Sequence, residues 1–375
     1  MSVLGRTTVI AGMALVAGAL TAAPATAGER HDARAGVVFV QNDAVDGNVV
    51  TAYDRMPDGS LRQAGSYATG GDGGRLEGAA VDFTASQGAL VADRSHRELI
   101  AVNAGSDTIS VFRVQGDRLH LRQVVPSGGS FPVSVTVHDN LVYVLNARDG
   151  GSIQGYLDLG GRLRPVRAWH RDLALPVSAP EFTHTPGQVA FSPDGRHLLV
   201  TTKAASNSIL VFNVSHWGHL ARQPVVRAED GTVPFGVDFD SAGHLAVADA
   251  GTNAVATYDL ARDGSLAPLG MIPTGQRATC WVDASGHLLA VSNAGSGNVT
   301  TLRTDPAGGA TKITDTPTDP GTVDADFTRD GSFLYVQTGA TGRVDAFRVH
   351  EDGILTAVGS VLVPDAAGGE GIVAW

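Results

Sequence analysis

The stretch AWHRDLALPVSAPEFTHTP, residues 168–186, gathers side chains able to do chemistry: His170, Arg171, Asp172, Glu181 and His184. A histidine or a carboxylate can take a proton from water or a hydroxyl, and an arginine can hold an anion or a developing oxyanion. His184 and Glu181 are therefore the candidate bases for an acyl-transfer reaction. Arg75, Glu77, Lys203 and Arg277 are the candidate binding residues. Pro176, Pro180 and Pro186 stiffen the stretch, and a long ordered connection of this kind is often functional.

Other chemistries find no support. No Gly-x-Ser-x-Gly elbow sits at a strand-to-helix turn, and no Gly-x-x-x-x-Gly-Lys is present. The run Gly70-Gly71-Asp72-Gly73-Gly74 lacks a following helix and reads as a flexible connection. His197, His244 and His287 share one register of a repeat, which places them roughly 15 Å or more apart. No other His, Cys or carboxylate group has metal-ligand spacing, so neither metal nor cofactor is expected. Asp324 and Asp326 share a strand face without a calcium loop around them. The formal charge is −11, and the two lysines, Lys203 and Lys312, form no basic run, which argues against nucleic acid. Cys280 stands alone, so no intramolecular disulfide can form, and its setting reads as a buried strand position.

The elements that must position these residues form a repeat. FSPDGRHLLVTTKAASNSILVFNV (191–214) reads as strand, tight turn, strand, polar loop, strand. The same frame returns around Asn42, Asn103, Asn146, Thr202, Asp249, Asn293 and Thr338, at intervals of 43 to 61 residues. Asp194-Gly195 and Asp330-Gly331, with Asp58-Gly59, Asp263-Gly264 and Asp352-Gly353 after third strands, supply the positive φ of tight hairpins. Seven copies with about four strands each predict an all-β, seven-bladed β-propeller of antiparallel blades. The first copy has three strands, near 36–42, 49–54 and 61–66. Gly371–Trp375 supplies the missing innermost strand and closes the ring.

A closed ring brings the inner-strand starts and their loops to one mouth of a central channel. Arg75, Glu77, Arg148, Arg171, Asp172, Glu181, His184, Lys203, Arg277, Asp319 and Glu370 all fall near that mouth. A concave site there is the default expectation.

Ser192-Pro193-Asp194-Gly195-Arg196-His197-Leu198-Leu199-Val200 resembles the blade motif of the seven-bladed lactonase family, which includes 6-phosphogluconolactonases and carboxymuconate cyclases. Val291–Ser296 and Val102–Ser106 are similar to YVTN-type propellers. The resemblance implies a His and an Arg at inner-strand starts of the central blades. Those positions hold Gly187 and Phe235 here. Two functions follow. One is a lactonase- or cyclase-like enzyme, hydrolase or isomerase, acting on a small lactone or carboxylate. The other is a non-catalytic extracellular binding propeller for a carbohydrate, a peptide or an envelope partner.

The start of the chain reads as a cleaved signal peptide, residues 1–27. Arg6 precedes the apolar run 9–20, and Ala25-Thr26-Ala27 offers a small-residue cleavage site. The run is too short to span a bilayer. Residues 28–375 then form a single exported propeller domain, expected to be monomeric and without a membrane span.

Overall fold

In this computed structural model, residues 1, 2, 5 and 34–375 are described. The signal-peptide segment lies almost wholly outside them. Seven antiparallel sheets form the blades of a ring, in chain order. Their innermost strands are Leu90–Asp93 (blade 2), Pro132–His138 (blade 3), Gln188–Phe191 (blade 4), Pro234–Phe239 (blade 5), Thr279–Ser285 (blade 6) and Thr322–Phe327 (blade 7). Blade 1 takes its three outer strands, Gly36–Gln41, Val49–Arg55 and Leu61–Ala68, from the start of the domain. Its innermost strand is Ile372–Ala374, with Val38 opposite Ala374 and Val40 opposite Ile372. The strand pattern and the closure follow the sequence reading.

The core lies between blades rather than around the axis. Each strand alternates its side chains across the sheet, and both faces of a blade meet a neighbour. Phe39, Leu99 and Phe112 pack blade 1 on blade 2, and Val38, Tyr53 and Tyr335 pack blade 7 on blade 1. Buried tyrosines tie blades through their hydroxyls: Tyr53 donates to Leu362 O, Tyr156 to Pro126 O and Tyr335 to Gly59 O. In several blades the polar residue that marks the repeat braces its own loop. Asn103 donates to Thr108 Oγ1 and Ser110 Oγ, and Asn293 to Asn298 Oδ1 and Thr300 Oγ1.

The innermost strands leave one row of backbone donors facing the axis. Each blade lends acceptors to the next. Ser134 and Thr136 of blade 3 accept from Val189 and Phe191 of blade 4. Gln188 accepts from Val237 of blade 5, Asp238 from Ala284 of blade 6, and Asp283 from Phe327 of blade 7. Asp324 and Asp326 accept from Ile372 and Ala374 of blade 1, and Glu370 from Gly88 and Ala89 ahead of blade 2. The last junction is a backbone bond from Val135 to Gly88.

Residues 81–88 cross the mouth where the inner strands begin. Asp82 folds this crosspiece by accepting from the N–H groups of Thr84, Ala85 and Ser86. Ser86 Oγ donates to Val133 O, and Trp281 Nε1 donates to Ser86 O. Gln87 reaches over the axis, donating to Val282 O and accepting from its N–H. The glycine run ahead of it is closely packed, contrary to the flexible connection expected. A Cβ on Gly73 would lie 2.0 Å from Asp43 O.

Two predictions follow. Ile372→Ala removes buried side-chain volume at the seam and lowers unfolding free energy by about 2–5 kcal/mol. The exposed Ile354→Ala changes it by less than about 0.5 kcal/mol. Urea denaturation of both variants checks the contrast. The second concerns pH. Burial pushes the carboxyls of Asp43, Asp324 and Asp326 up to about 7 and that of Asp238 up to about 6. In the unfolded chain they titrate near 4. The folded state binds more protons, so this stability is complete below about pH 4 and is lost as pH rises through 6–7. The urea midpoint should be higher at pH 4.5 than at pH 7.5, and Asp326→Asn should shrink the difference. A midpoint that climbs over this interval would contradict the assignment.

Candidate functional site

The crosspiece closes the mouth at which the site was expected, and Glu181 and His184 lie on the rim. Below it, a well of about 330 Å³ opens at the opposite end of the ring, lined by Thr136, Gln188, Asp238, Asp283 and Asp326, with Arg94. These carboxylates are already bonded to backbone N–H groups of the next blade. Arg94 donates to Ala374 O. The lining is therefore the structural seam seen from inside.

On the rim, the long connection after blade 3 folds back. Arg171–Asp172 pairs with Ser152 and Ile153 as a continuation of the blade's outer edge, and Arg171 donates to Ala221 O. The chain then turns through Pro176–Pro180 into a single helical turn, Glu181–His184. That turn sits over the loop carrying Arg148. Arg148 Nε meets Glu181 Oε1 and its Nη2 meets Glu181 Oε2, both at 3.0 Å. This side-on fork fixes the guanidinium, and Phe131 lies beneath it at 4.3 Å. Glu181 Oε2 also accepts the Glu77 N–H. Arg148 holds the Glu181 carboxyl below its ordinary value, so Glu181 stays ionised.

Arg148, Glu181 and His184 share a cavity of about 140 Å³, walled by Leu175, Val177 and Pro186. His184 Nδ1 lies 3.1 Å from Pro180 O and 2.9 Å from Thr183 Oγ1. A proton on Nδ1, donated to Pro180 O, leaves Nε2 with a free lone pair. The hydrogen bonds of Arg148 run from Nε and Nη2, so Nη1 is uncommitted among the described residues. The pocket thus brings an imidazole and a fixed cation together, the two kinds of group that ester-type hydrolysis uses.

Lys203 lies under the helical turn. Its Nζ donates to Ala85 O, Phe182 O and Thr185 Oγ1. Burial pushes its amine down to about 7. It binds the crosspiece to the turn that carries His184, and it fills the space beside both family positions. A Cβ on Gly187 would lie 3.3 Å from Lys203 Cγ, and the amine lies 5.4 Å from the Phe235 ring centre.

The other residues singled out from sequence fall around this group or away from it. Glu77 meets Glu181 only through its backbone. Arg75 gives its guanidinium to Ala79 O and its carbonyl to Arg148. Arg277, between blades 5 and 6, donates to Gly295 O and lines neither cavity. Asp319 pairs with Arg343 at 2.9 Å, and Glu370 is buried at the seam. Arg148 finds its partner 33 residues away, and no local motif joins the two. Cys280 is buried, which pushes its thiol up to about 12. His244 and His287 correct the spacing argument. Both reach Asp240 Oδ2, at 3.2 and 3.6 Å. The turns that follow innermost strands lie at small radius, and Ser241 N even bonds Gly286 O across adjacent blades.

The lactonase, 7-bladed β-propeller family model matches residues 172–282. This stretch contains the helical turn, Lys203 and both replaced positions. No curated protein matches the chain. Among solved structures, a putative 6-phosphogluconolactonase from Bacteroides fragilis superposes with a TM-score of 0.71 at 17% identity, covering 90% of this chain and 97% of its own. A periplasmic gluconolactonase from Pseudomonas aeruginosa gives 0.72 at 18%, covering 90% and 98%. Virginiamycin B lyase from Staphylococcus aureus gives 0.53 at 13%, covering 79% and 90%. The chain is a seven-bladed β-propeller that resembles the lactonase family, with its sequence match to that family in blades 4 and 5 and the segments flanking them.

Proposed function

We propose that this propeller is exported and opens a small, uncharged lactone in the rim pocket of Arg148, Glu181 and His184. The observation that carries the reading is the convergence of the His184 imidazole and the forked Arg148 guanidinium in one small cavity. Both groups lie on the rim, clear of the sealed channel mouth. In this reading His184 Nε2 takes a proton from water as the oxygen attacks the lactone carbonyl carbon. Arg148 stabilises the oxyanion that forms. The ring C–O bond then breaks, the leaving oxygen takes the proton back from the imidazolium, and the product is a hydroxy acid. Glu181 positions Arg148, and Lys203 positions the turn beneath His184.

The pocket's charge argues for a neutral substrate. Glu181 offsets Arg148, and Asp149 adds a further negative charge at the wall. A phosphorylated lactone would add about two negative charges with no further cation to receive them. A cavity of about 140 Å³ suits a single ring. The two gluconolactonase-like neighbours suggest a polyhydroxy lactone.

A second reading, a carbohydrate-binding propeller, has its own observation. A groove between blades 3 and 4, at the end of the ring away from the rim pocket, is lined by Asn140, Asp194, Arg196, His216 and Trp217. Trp217 is 75% exposed, and an indole face flanked by planar polar groups is a platform for a sugar ring.

The purified chain, incubated with gluconolactone and with its 6-phosphate, should open the first faster than the spontaneous reaction. His184→Ala should lower kcat/KM by about 10²-fold or more. Arg148→Ala should lower it as well, and Trp217→Ala should leave it unchanged. If no lactone is opened above background while Trp217→Ala abolishes sugar binding, the second reading replaces the first. If His184→Ala is as active as the parent, the base is misassigned.

A further inference from the structure

We infer that Asp93, His96 and Asp158, with Glu98 beside them, form a binding site for one divalent transition-metal ion that clips blade 2 to blade 3. Asp93 ends the innermost strand of blade 2, and Glu98 opens the next strand directly opposite it. His96 lies in the turn between them. Asp158 ends the third strand of blade 3, Ser152–Asp158. One ligand atom from each of Asp93, His96 and Asp158 lies within 4.8 Å of the others. His96 Nδ1 is 2.6 Å from Asp93 Oδ2 and 3.8 Å from Asp158 Oδ2. Two ligands on a tetrahedral ion at roughly 2.1 Å stand about 3.4 Å apart, so a small swing of the exposed imidazole edge fits all three.

An ordinary His–Asp ion pair accounts for only part of this group. Asp93 is fully used: Oδ1 accepts from Ser95 N, Ser95 Oγ and His96 N, and Oδ2 faces the imidazole. Asp158 uses only Oδ1, on Gly161 N. Asp158 Oδ2 and Glu98 Oε2 are buried and have no hydrogen-bond partner among the described residues. Both residues are at least nine-tenths buried, and both carboxyls crowd the same imidazole. Three carboxylates against one imidazolium leave two negative charges short of a partner beside the two orphan oxygens. A doubly charged cation takes the place of the imidazolium proton, reduces the imbalance to one negative charge and gives both orphan oxygens a partner. One imidazole with two or three carboxylates is a donor set for Zn²⁺ or Mn²⁺. His96, about a third exposed, is the entry path. The sequence hid this group because Asp158 stands 62 residues beyond His96 and in another blade.

The test uses the full mature chain, stripped with EDTA and dialysed. Zn²⁺ and Mn²⁺ are each titrated by calorimetry, and thermal unfolding is followed with and without the ion. The expected result is one site per chain for at least one of the two ions. Tm should rise by about 3 °C or more at a hundredfold excess over Kd. Asp158→Asn and Glu98→Gln should each weaken that site at least tenfold and remove the rise. His170→Ala, at an exposed His–Asp pair on the rim, should change neither. The inference is overturned if the stripped protein binds neither ion. It is equally overturned if Asp158→Asn and Glu98→Gln, folded by circular dichroism, bind as the parent does.

Discussion

Seven sheets arranged in a ring leave seven strand edges facing one axis, and every unpaired N–H on those edges must find an acceptor. This constraint organises the molecule. Water could serve a wide channel, but here side chains of the neighbouring blade do the work. Hydroxyls of blade 3, an amide of blade 4 and carboxylates from blade 5 round to blade 1 accept from the next blade, and the backbone carbonyl of Gly88 serves the junction between blades 2 and 3. The acceptor of each junction sits on one blade and its donor on the next, so the seam and the ring are one structure. The C-terminal strand is held by the same device, through Asp324 and Asp326, in addition to its pairing with Gly36–Gln41. Losing it would orphan donors and acceptors on both sides.

The crosspiece follows from the same need. Seven inner-strand starts converge on one mouth. Residues 81–88 fill it with backbone carbonyls, and Gln87 completes the axis by bonding both polar atoms of Val282. That solution has a functional consequence. The positions where the resemblance implies a histidine and an arginine hold Gly187 and Phe235; Gly187 O accepts from Gln87 N of the crosspiece, and the Lys203 side chain lies beside both. A reaction centre at the mouth would need the crosspiece removed. The proposed chemistry therefore lies one step outward, where Lys203 still matters through the turn it anchors.

The blades were readable because their signals are local. Asp-Gly turns, alternating apolar strands and the polar residue ending the second strand of most blades all act within about 20 residues. The closing strand was readable by subtraction, since the first copy lacked an innermost member. The rim pocket was readable in part. Glu181 and His184 share one turn and one proline-rich stretch, so their proximity was foreseeable. Arg148 was not, because its fork to Glu181 depends on how a blade-3 loop meets the folded-back connection. The histidine spacing failed for a geometric reason: sheet spacing at mid-blade overstates the distance between turns near the axis, where His244 and His287 converge on Asp240. The glycine run misled because glycine serves close approach as well as freedom, and Gly73 stands against Asp43.

The buried carboxylates can be ordered by what neutralises each one. Asp238, Asp283, Asp324 and Asp326 have backbone donors, yet they crowd one another, so protons complete the account. Asp240 sits between two histidines and Thr304, which hold its carboxyl below the ordinary range despite burial. Asp249 occupies the position where other blades place Asn or Thr; both of its oxygens lack partners, and burial pushes it up to about 7. It behaves as a neutral acid in an amide's place. The Asp93–Asp158 group differs from all of these. It has an imidazole able to bind a metal through Nδ1, two orphan oxygens from different blades and an opening to solvent. A single proton can quiet Asp249, and its carboxylate neighbour Glu229 is already paired with Arg227. At Asp158 the same shortage of donors coincides with a complete set of ligands, and that coincidence separates a site for a cation from a carboxyl that is merely buried.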